Sequence, residues 1–408
     1  MTAFGCVNNA GNSAVTKRGL VLSGGGARGA YQVGVLKAIS EMHEKHAPNP
    51  FSIITGTSAG AINAVALAAS ANNFRLAVRK VERLWNNLQV DNIYKAGSWD
   101  IMYGLARIGL SLFNSGVGRK RPLSLLDNSP LRDMLSHSIQ FRNIQRRIDA
   151  GCLDAVGVSA TGYSSGESVT FFQGREDVQG WRRNRRLGLQ TTLGVEHLLA
   201  SSAIPMIFPP ERISREYFGD GALRQLAPVS PALRMGADRI MVIGVSGNAR
   251  RSLPRETIVH SPSMANMVGH LFNSAFIDSL EHDLDIMRRF NDLIGMVHND
   301  APYTSLGELR LVNLLAIYPS VEFDTLAEKH VKDLPRTMRR LMSRVGATEE
   351  GGGGSFASYL LFEPKFIEEL IDYGYRDAMA QREAIHDFFL EDDLAVNRNK
   401  LDPVRSIF

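Results

Sequence analysis

The 408-residue sequence has only two cysteines, Cys6 and Cys152. A disulfide framework is excluded at that count, and both side chains are expected as free thiols in a reducing compartment, which points to the cytoplasm. No apolar run reaches the ~20 residues needed to cross a bilayer. The longest, from Ala59 to Ala71, is rich in small residues and reads as a buried core helix. The N-terminal MTAFGCVNNAGNSAVTKRG lacks a basic segment leading into an apolar one and lacks a small-residue cleavage site, so a flexible tail over 1–17 is expected there. No cluster of His, Cys, Asp and Glu stands at ligand spacing, so no metal is expected, and nothing calls for another cofactor. Excess charge of one sign is also absent, the net value being +4. The basic groups that do occur, Arg182, Arg183, Arg185 and Arg186 in one cluster and Arg142, Arg146 and Arg147 in another, carry no interleaved aromatics, which argues against a nucleic-acid partner. A solvated surface and contact with an anionic surface both stay open for them.

With 44% apolar and 22% charged residues, the chain can bury a core of one large or two medium domains. From Lys17 onward, short apolar runs alternate with helical patterns, the mark of βα units that build a parallel sheet with helices on both faces. GLVLSGGG reads as strand and tight turn, ARGAYQVGVLKAISEMHEK as helix, FSIITG as a second strand, and a second helix starts near Ser58. Residues 85–147 are irregular and suit an insertion over the site, with IMYGLARIGLSLF as an amphipathic stretch. CLDAVGVSAT and SVTFFQG suggest a hairpin, EHLLASSAI a helix stopped by Pro205, and RIMVIGVS another buried strand. From Asn248 long helices dominate, interrupted by a four-glycine run at Gly351 to Gly354 that reads as a connector. The expected layout is an α/β catalytic domain over 18–247, followed by a mainly helical region over 248–408 packed on it.

Two glycine-rich turns stand out. Gly56-Thr57-Ser58-Ala59-Gly60 is a GxSxG between an apolar strand and an apolar helix. A serine on such a sharp turn is lifted clear of the sheet as a nucleophile, and the flanking small residues avoid clashes. A simple helix N-cap serine is the alternative. Ser23-Gly24-Gly25-Gly26-Ala27-Arg28-Gly29 also joins a strand to a helix and contains a literal GxGxxG. A dinucleotide-binding turn would want an acidic residue at the end of the second strand, where Thr55-Gly56-Thr57-Ser58 stands instead. A Walker loop would need Gly-Lys-Ser/Thr. The same amides could form an oxyanion hole, while Arg28 could face a substrate phosphate or brace the loop. None of the ten histidines sits in a convincing loop after a strand, and Asp220 in Gly219-Asp220-Gly221-Ala222 is the better candidate base, although an Asp-Gly turn is often only structural.

In this order, GGGARG, GTSAG and DGA resemble the motifs of the patatin-like phospholipases, and ASSAIPMIFPP ahead of the aspartate is similar to the family's sequence there. The resemblance covers about residues 18–235. It implies a three-layer α/β/α fold, modified from the α/β-hydrolase type, with a mostly parallel central sheet. It also implies Ser58 as nucleophile and Asp220 as base, and an oxyanion hole from Gly24, Gly25, Gly26 and the neighbouring Ala27 and Arg28. Gly29, Gly56, Gly60, Gly221 and Ala222 complete the motifs. The implied activity is hydrolysis of lipid esters of the phospholipase A or lysophospholipase type, without a metal. A soluble carboxylesterase or thioesterase, and a nucleotide- or signal-binding module with an incidental serine, remain as alternatives. The expected partners are a phospholipid or other lipid ester and a membrane surface touched peripherally on its inner side. A homodimer is left open.

Overall fold

A computed structural model describes residues 16–95, 97–113, 122–246, 263–297, 311–344, 346 and 353–390. Cys6 and nearly all of the expected tail lie outside them. The strands are β1 (Arg18–Leu22), β2 (Ile53–Thr57), β3 (Ala155–Gly162), β4 (Ser168–Gly174), β5 (Trp181–Arg183), β6 (Arg186–Gln190), β7 (Glu211–Ile213), β8 (Glu216–Asp220), β9 (Arg239–Ile243) and β10 (Asn313–Ile317). They form one sheet in the order β10-β9-β1-β2-β3-β4-β6-β5, with β8 joined to β3 and β7 to β8. The five strands from β10 to β3 are parallel, and β4 returns antiparallel along β3 as the hairpin read from the sequence. Parallel strands covered on both faces need apolar side chains on both. Leu20, Leu22, Ile54 and Met241 accordingly enter one core, while Val21, Ile53, Ile240 and Val242 enter another on the opposite side.

The helices are α1 (Ala30–Met42), α2 (Ala59–Ala68), α3 (Phe74–Asn86), α4 (Ser98–Phe113), α5 (Ser129–Ser138), α6 (Val195–Ser201), α7 (Met264–Asn273), α8 (Ser279–Val297), α9 (Phe323–His330), α10 (Gly354–Leu360), α11 (Pro364–Ala380) and α12 (Arg382–Phe389). With the sheet between two helical layers, this is the three-layer α/β/α architecture. No described helix is long and apolar enough to cross a membrane.

Four features differ from the sequence reading. The C-terminal region is not purely helical: it supplies β10, which extends the sheet beside β9. The segment read as one helix from Phe272 onward is broken by a π-helical turn at Ser274–Asp278, which lies between α7 and α8. Gly354 opens α10 tight against the Asp324 carbonyl, where a Cβ would approach it to 2.4 Å, so it is a packing residue and not a connector. Cys152 is disulfide-bonded, which corrects the free-thiol expectation and removes the argument for a reducing compartment.

α1 runs directly out of the glycine-rich turn, and α11 crosses it at two facing glycines. A Cβ on Gly34 would sit 1.9 Å from the Ile371 carbonyl oxygen, and one on Gly374 would sit 2.1 Å from that of Tyr31. Only hydrogen fits, so the two backbones touch. Tyr31 Oη then donates to Asp377 Oδ2 at 3.1 Å, beside the Ser320 amide at 2.9 Å. Gly34→Ala is expected to push the helices apart at a cost of about 1–3 kcal/mol. Urea denaturation of the two proteins measures that cost.

Candidate active site

Both candidate turns leave the C-terminal ends of adjacent parallel strands, β1 and β2, where a change in strand connection opens a crevice. β1 connects to β2 on one side and has β9 on the other. The elbow after β2 is tight because its glycines permit it. A Cβ on Gly56 would lie 2.2 Å from the Gly60 carbonyl oxygen, and one on Gly60 would lie 2.3 Å from that of Leu22. Ser58, at the head of α2, has φ 54 and ψ −126, a conformation that strains any residue with a Cβ. Such strain persists only where neighbours hold it. The Ser58 amide donates to Ser201 Oγ at 2.8 Å, and Ala61 N closes the first turn on the Ser58 carbonyl at 2.9 Å.

Asp220 reaches the same place through register. β3 pairs with β2 as far as Thr57 against Ser159, and the next residue along, Ala160, pairs with Asp220 of β8. β4 occupies the other edge of β3 throughout, so β2 and β8 share one edge end to end. The residue following Thr57 and the residue ending β8 therefore abut. A Cβ on Gly221 would meet the Ser159 carbonyl oxygen at 2.2 Å and Thr57 Cγ2 at 2.8 Å, which shows how closely the aspartate turn seats on the elbow.

Ser58 is 2% exposed and Asp220 1%. Burial pushes the Asp220 carboxyl up to about 7, against the Ala222 amide, which donates to Oδ1 at 3.0 Å, and the nearby Ser58 hydroxyl, both of which pull it down. The Ser58 hydroxyl is thus close enough to act on the carboxylate. Oδ2 nevertheless makes no hydrogen bond of regular geometry and is left as an unpaired buried acceptor.

The glycine-rich turn faces the serine. A Cβ on Gly24 would come within 3.1 Å of Ser58 Cβ, and Phe276 of the π-helical turn covers its other side at 2.7 Å. Gly26 has φ +55 and passes 2.2 Å, measured from a Cβ position, from the Tyr359 carbonyl oxygen, so it must be glycine on both counts. Among the described residues, neither the Gly24 nor the Gly25 amide donates to a protein acceptor. Gln32 fixes the loop from beneath, its Nε2 donating to the carbonyls of Ser23 at 2.8 Å and Ile243 at 3.2 Å.

Arg28 does not belong with these donors. Its amide is spent on the Gly25 carbonyl at 3.1 Å, and its buried guanidinium turns away to Ser358 Oγ at 2.7 Å and Asp324 Oδ1 at 2.5 Å, over the Tyr359 ring. Of the two roles open to it, bracing the loop to the C-terminal region is the one realised. The other motif residues, Gly29 and Ala222, stand beside Ala59 and Asp220.

A mostly apolar cavity of about 40 Å³ opens beside Ser58, lined among others by Trp85, Phe208, Tyr359 and Phe362. Leu131 and Met134 of α5 form part of its wall, so the irregular 85–147 segment does border the site. Sequence reasoning missed Ser201 and Gln225. Ser201 lies in the quoted ASSAIP segment, where a signal was available, whereas nothing in the sequence marks Gln225. Among the described residues no group of three or more acidic, histidine or cysteine side chains could hold a metal.

A family model described as Patatin-like phospholipase matches residues 20–233. The chain is 28% identical over 227 residues to a cGAMP-activated phospholipase of Escherichia coli (strain TW11681), covering 52% of this chain and 54% of that protein. It is 54% identical over 54 residues to lysophospholipase nte1 of Aspergillus terreus (strain NIH 2624 / FGSC A1156), covering 13% of this chain and 3% of that one. The chain therefore aligns with about half the length of the first relative and a small fraction of the second. Among solved structures, human GIVD cytosolic phospholipase A2 in complex with methyl gamma-linolenyl fluorophosphonate matches with TM-score 0.37 and 11% identity, over 92% of this chain and 60% of that one. VipD from Legionella pneumophila matches with TM-score 0.36 and 14% identity, over 91% and 68%.

Proposed function

The chain belongs to the patatin-like phospholipase family, and from that premise we propose that it hydrolyses carboxylic esters of lipids with Ser58 as nucleophile and Asp220 as base. The observation that carries the reading is the shared β3 edge, which sets a strained serine against a buried carboxylate with one oxygen unpaired. Ser58 Oγ bonds to the ester carbonyl carbon while its proton passes to Asp220. The negative charge gathers on the carbonyl oxygen, beside the unclaimed amides of Gly24 and Gly25. The C–O bond to the alcohol then breaks, and the alcohol leaves with the proton from Asp220. Water repeats the sequence on the acyl-serine, giving a carboxylic acid and free Ser58.

An ordinary aspartate near pKa ~3.9 holds a proton too weakly to serve as a base against a serine. The raised Asp220 value answers this, because a base works best with its pKa near the working pH. A phospholipid surface is the natural source of substrate. The exposed Trp99, Met102, Tyr103 and Leu105 of α4 give the enzyme an apolar, partly aromatic face for it. Gly104 of the same helix packs on Leu125, whose amide bonds Met206 next to the cavity-lining Ile204 and Phe208. That face therefore borders the cavity.

A fluorophosphonate probe is expected to label Ser58 in the folded protein and to stop fatty-acid release from phospholipid vesicles in step with labelling. Unlabelled folded protein would sink the reading. Turnover of short soluble esters without vesicle hydrolysis would shift it to a carboxylesterase or thioesterase. A second reading adds a signal requirement: the Escherichia coli relative is named as cGAMP-activated, and the cavity beside Ser58 is narrow. Running the vesicle assay with and without cGAMP separates the two.

A further inference from the structure

The two catalytic turns are held by more than the sheet. Ser201, the last residue of α6, is 0% exposed and has a hydroxyl that does two things. It accepts from the Ser58 amide at 2.8 Å and donates to the Ser159 carbonyl at 2.6 Å. On the same Ser159, Oγ accepts from Gln225 Nε2 at 3.0 Å and lies 3.1 Å from Thr170 Oγ1. Gln225 Oε1 in turn accepts from the Thr57 hydroxyl, and Thr57 precedes Ser58. These bonds close a buried ring through Ser58, Ser201, Ser159, Gln225 and Thr57. The ring draws on the elbow, the end of α6, the strand that aligns both turns, and the loop that follows Asp220.

Resting on the dyad reading above, we propose that Ser201 and Gln225 are positioning residues that hold the Ser58 elbow in register with the Asp220 turn. The ring takes up the Ser58 amide but leaves Ser58 Oγ and Asp220 Oδ2 unused, so it fixes the reacting groups without competing for their atoms. It also explains how the φ 54 conformation survives. The Ser58 amide has one acceptor in a water-free site, and relaxation of the elbow would leave that amide, the Ser159 carbonyl and the Ser201 hydroxyl without partners. A second tie runs the same way, the Asp220 amide donating to the Ala203 carbonyl at 2.9 Å, just beyond α6. One short segment thus grips both members of the dyad. None of the ring residues touches the substrate carbonyl, so none is a catalytic residue.

The test compares wild type with Ser201→Ala, Gln225→Leu and Thr57→Val in an ester hydrolysis assay, counting active sites by fluorophosphonate titration, with Ser58→Ala as control. Misplacing a reacting group by about 1 Å costs on the order of 100-fold. Turnover per titrated site is therefore expected to fall about 10–100-fold in Ser201→Ala, with KM within about threefold of wild type. Gln225→Leu and Thr57→Val should fall less. A merely structural role would lower the number of titratable sites and leave the turnover of each unchanged. If turnover per site stays within about threefold of wild type in all three variants while Ser58→Ala is dead, the positioning role is overturned and the dyad stands. Should Ser58→Ala keep wild-type activity, the dyad itself falls and the proposal with it. The three variants remove different parts of the ring, so failure of one to fold leaves the other two to decide.

Discussion

Ser58→Ala is expected to reduce ester turnover by about 10⁵–10⁶-fold, the scale seen when the nucleophile of a serine hydrolase is removed. Binding and the free amides of Gly24 and Gly25 remain, so substrate affinity should survive a loss read almost entirely in kcat. Ser58→Gly should be equally inactive but more stable than Ser58→Ala by about 1 kcal/mol, because glycine accepts φ 54 and ψ −126 where alanine is strained. Urea denaturation of the two dead variants measures the stored strain directly. Equal stabilities would mean that the elbow is relaxed and that its geometry needs no support. The elbow residue would then be one at which activity and stability pull in opposite directions.

Asp220→Asn is the second large effect, with an expected loss of about 10³–10⁴-fold in kcat/KM. Asparagine keeps the acceptor for the Ala222 amide at Oδ1 and removes only the ability to take a proton. In the wild type, kcat/KM should rise with pH as Asp220 ionises, with a midpoint near pH 7 set by burial. A midpoint near 4 would mean that the carboxylate is solvated in the working enzyme. The same group bears on stability. Its folded value of about 7 lies above 3.8, the ordinary value expected for the unfolded chain, so between these the folded state holds the proton more tightly. The stabilising contribution is full below pH 3.8 and is lost as pH rises through 7. That difference amounts to about 4 kcal/mol. Asp220→Asn should therefore gain on wild type in urea stability at pH 8 and gain little at pH 4.

Much of this site could be read before any coordinates. GLVLSGGG and FSIITG name β1 and β2 because parallel strands covered on both faces leave continuous apolar runs. GTSAG and GDGA stand out because turns this tight need glycine at fixed places. β7, β8 and β10 escaped notice: Glu211–Ile213 and Glu216–Asp220 are short and charged, and Asn313–Ile317 is a five-residue run in a stretch dominated by helical patterns. Residue type could not tell a bracing Arg28 from a substrate-facing one, since its partners Asp324 and Ser358 lie about three hundred positions away. The break in the last long helix, between α11 and α12 at Gln381, carries no proline or glycine to announce it. Ser201 was hidden for a related reason. A hydroxyl that accepts an amide across the fold leaves no periodicity behind.

The span matched by the family ends at Arg234's neighbour, position 233, yet the turn that would receive the oxyanion is anchored from beyond it. Arg28 leans on Asp324, Ser355 and Ser358, Gly26 presses on Tyr359, and the first helix after the turn lies glycine to glycine against α11. Amputating the chain at the family boundary would strip the turn of these buttresses and leave a lone buried guanidinium in their place. Chemistry and scaffold are thus divided unequally along this polypeptide: the reacting groups come from its first half, and much of their rigidity is borrowed from its second.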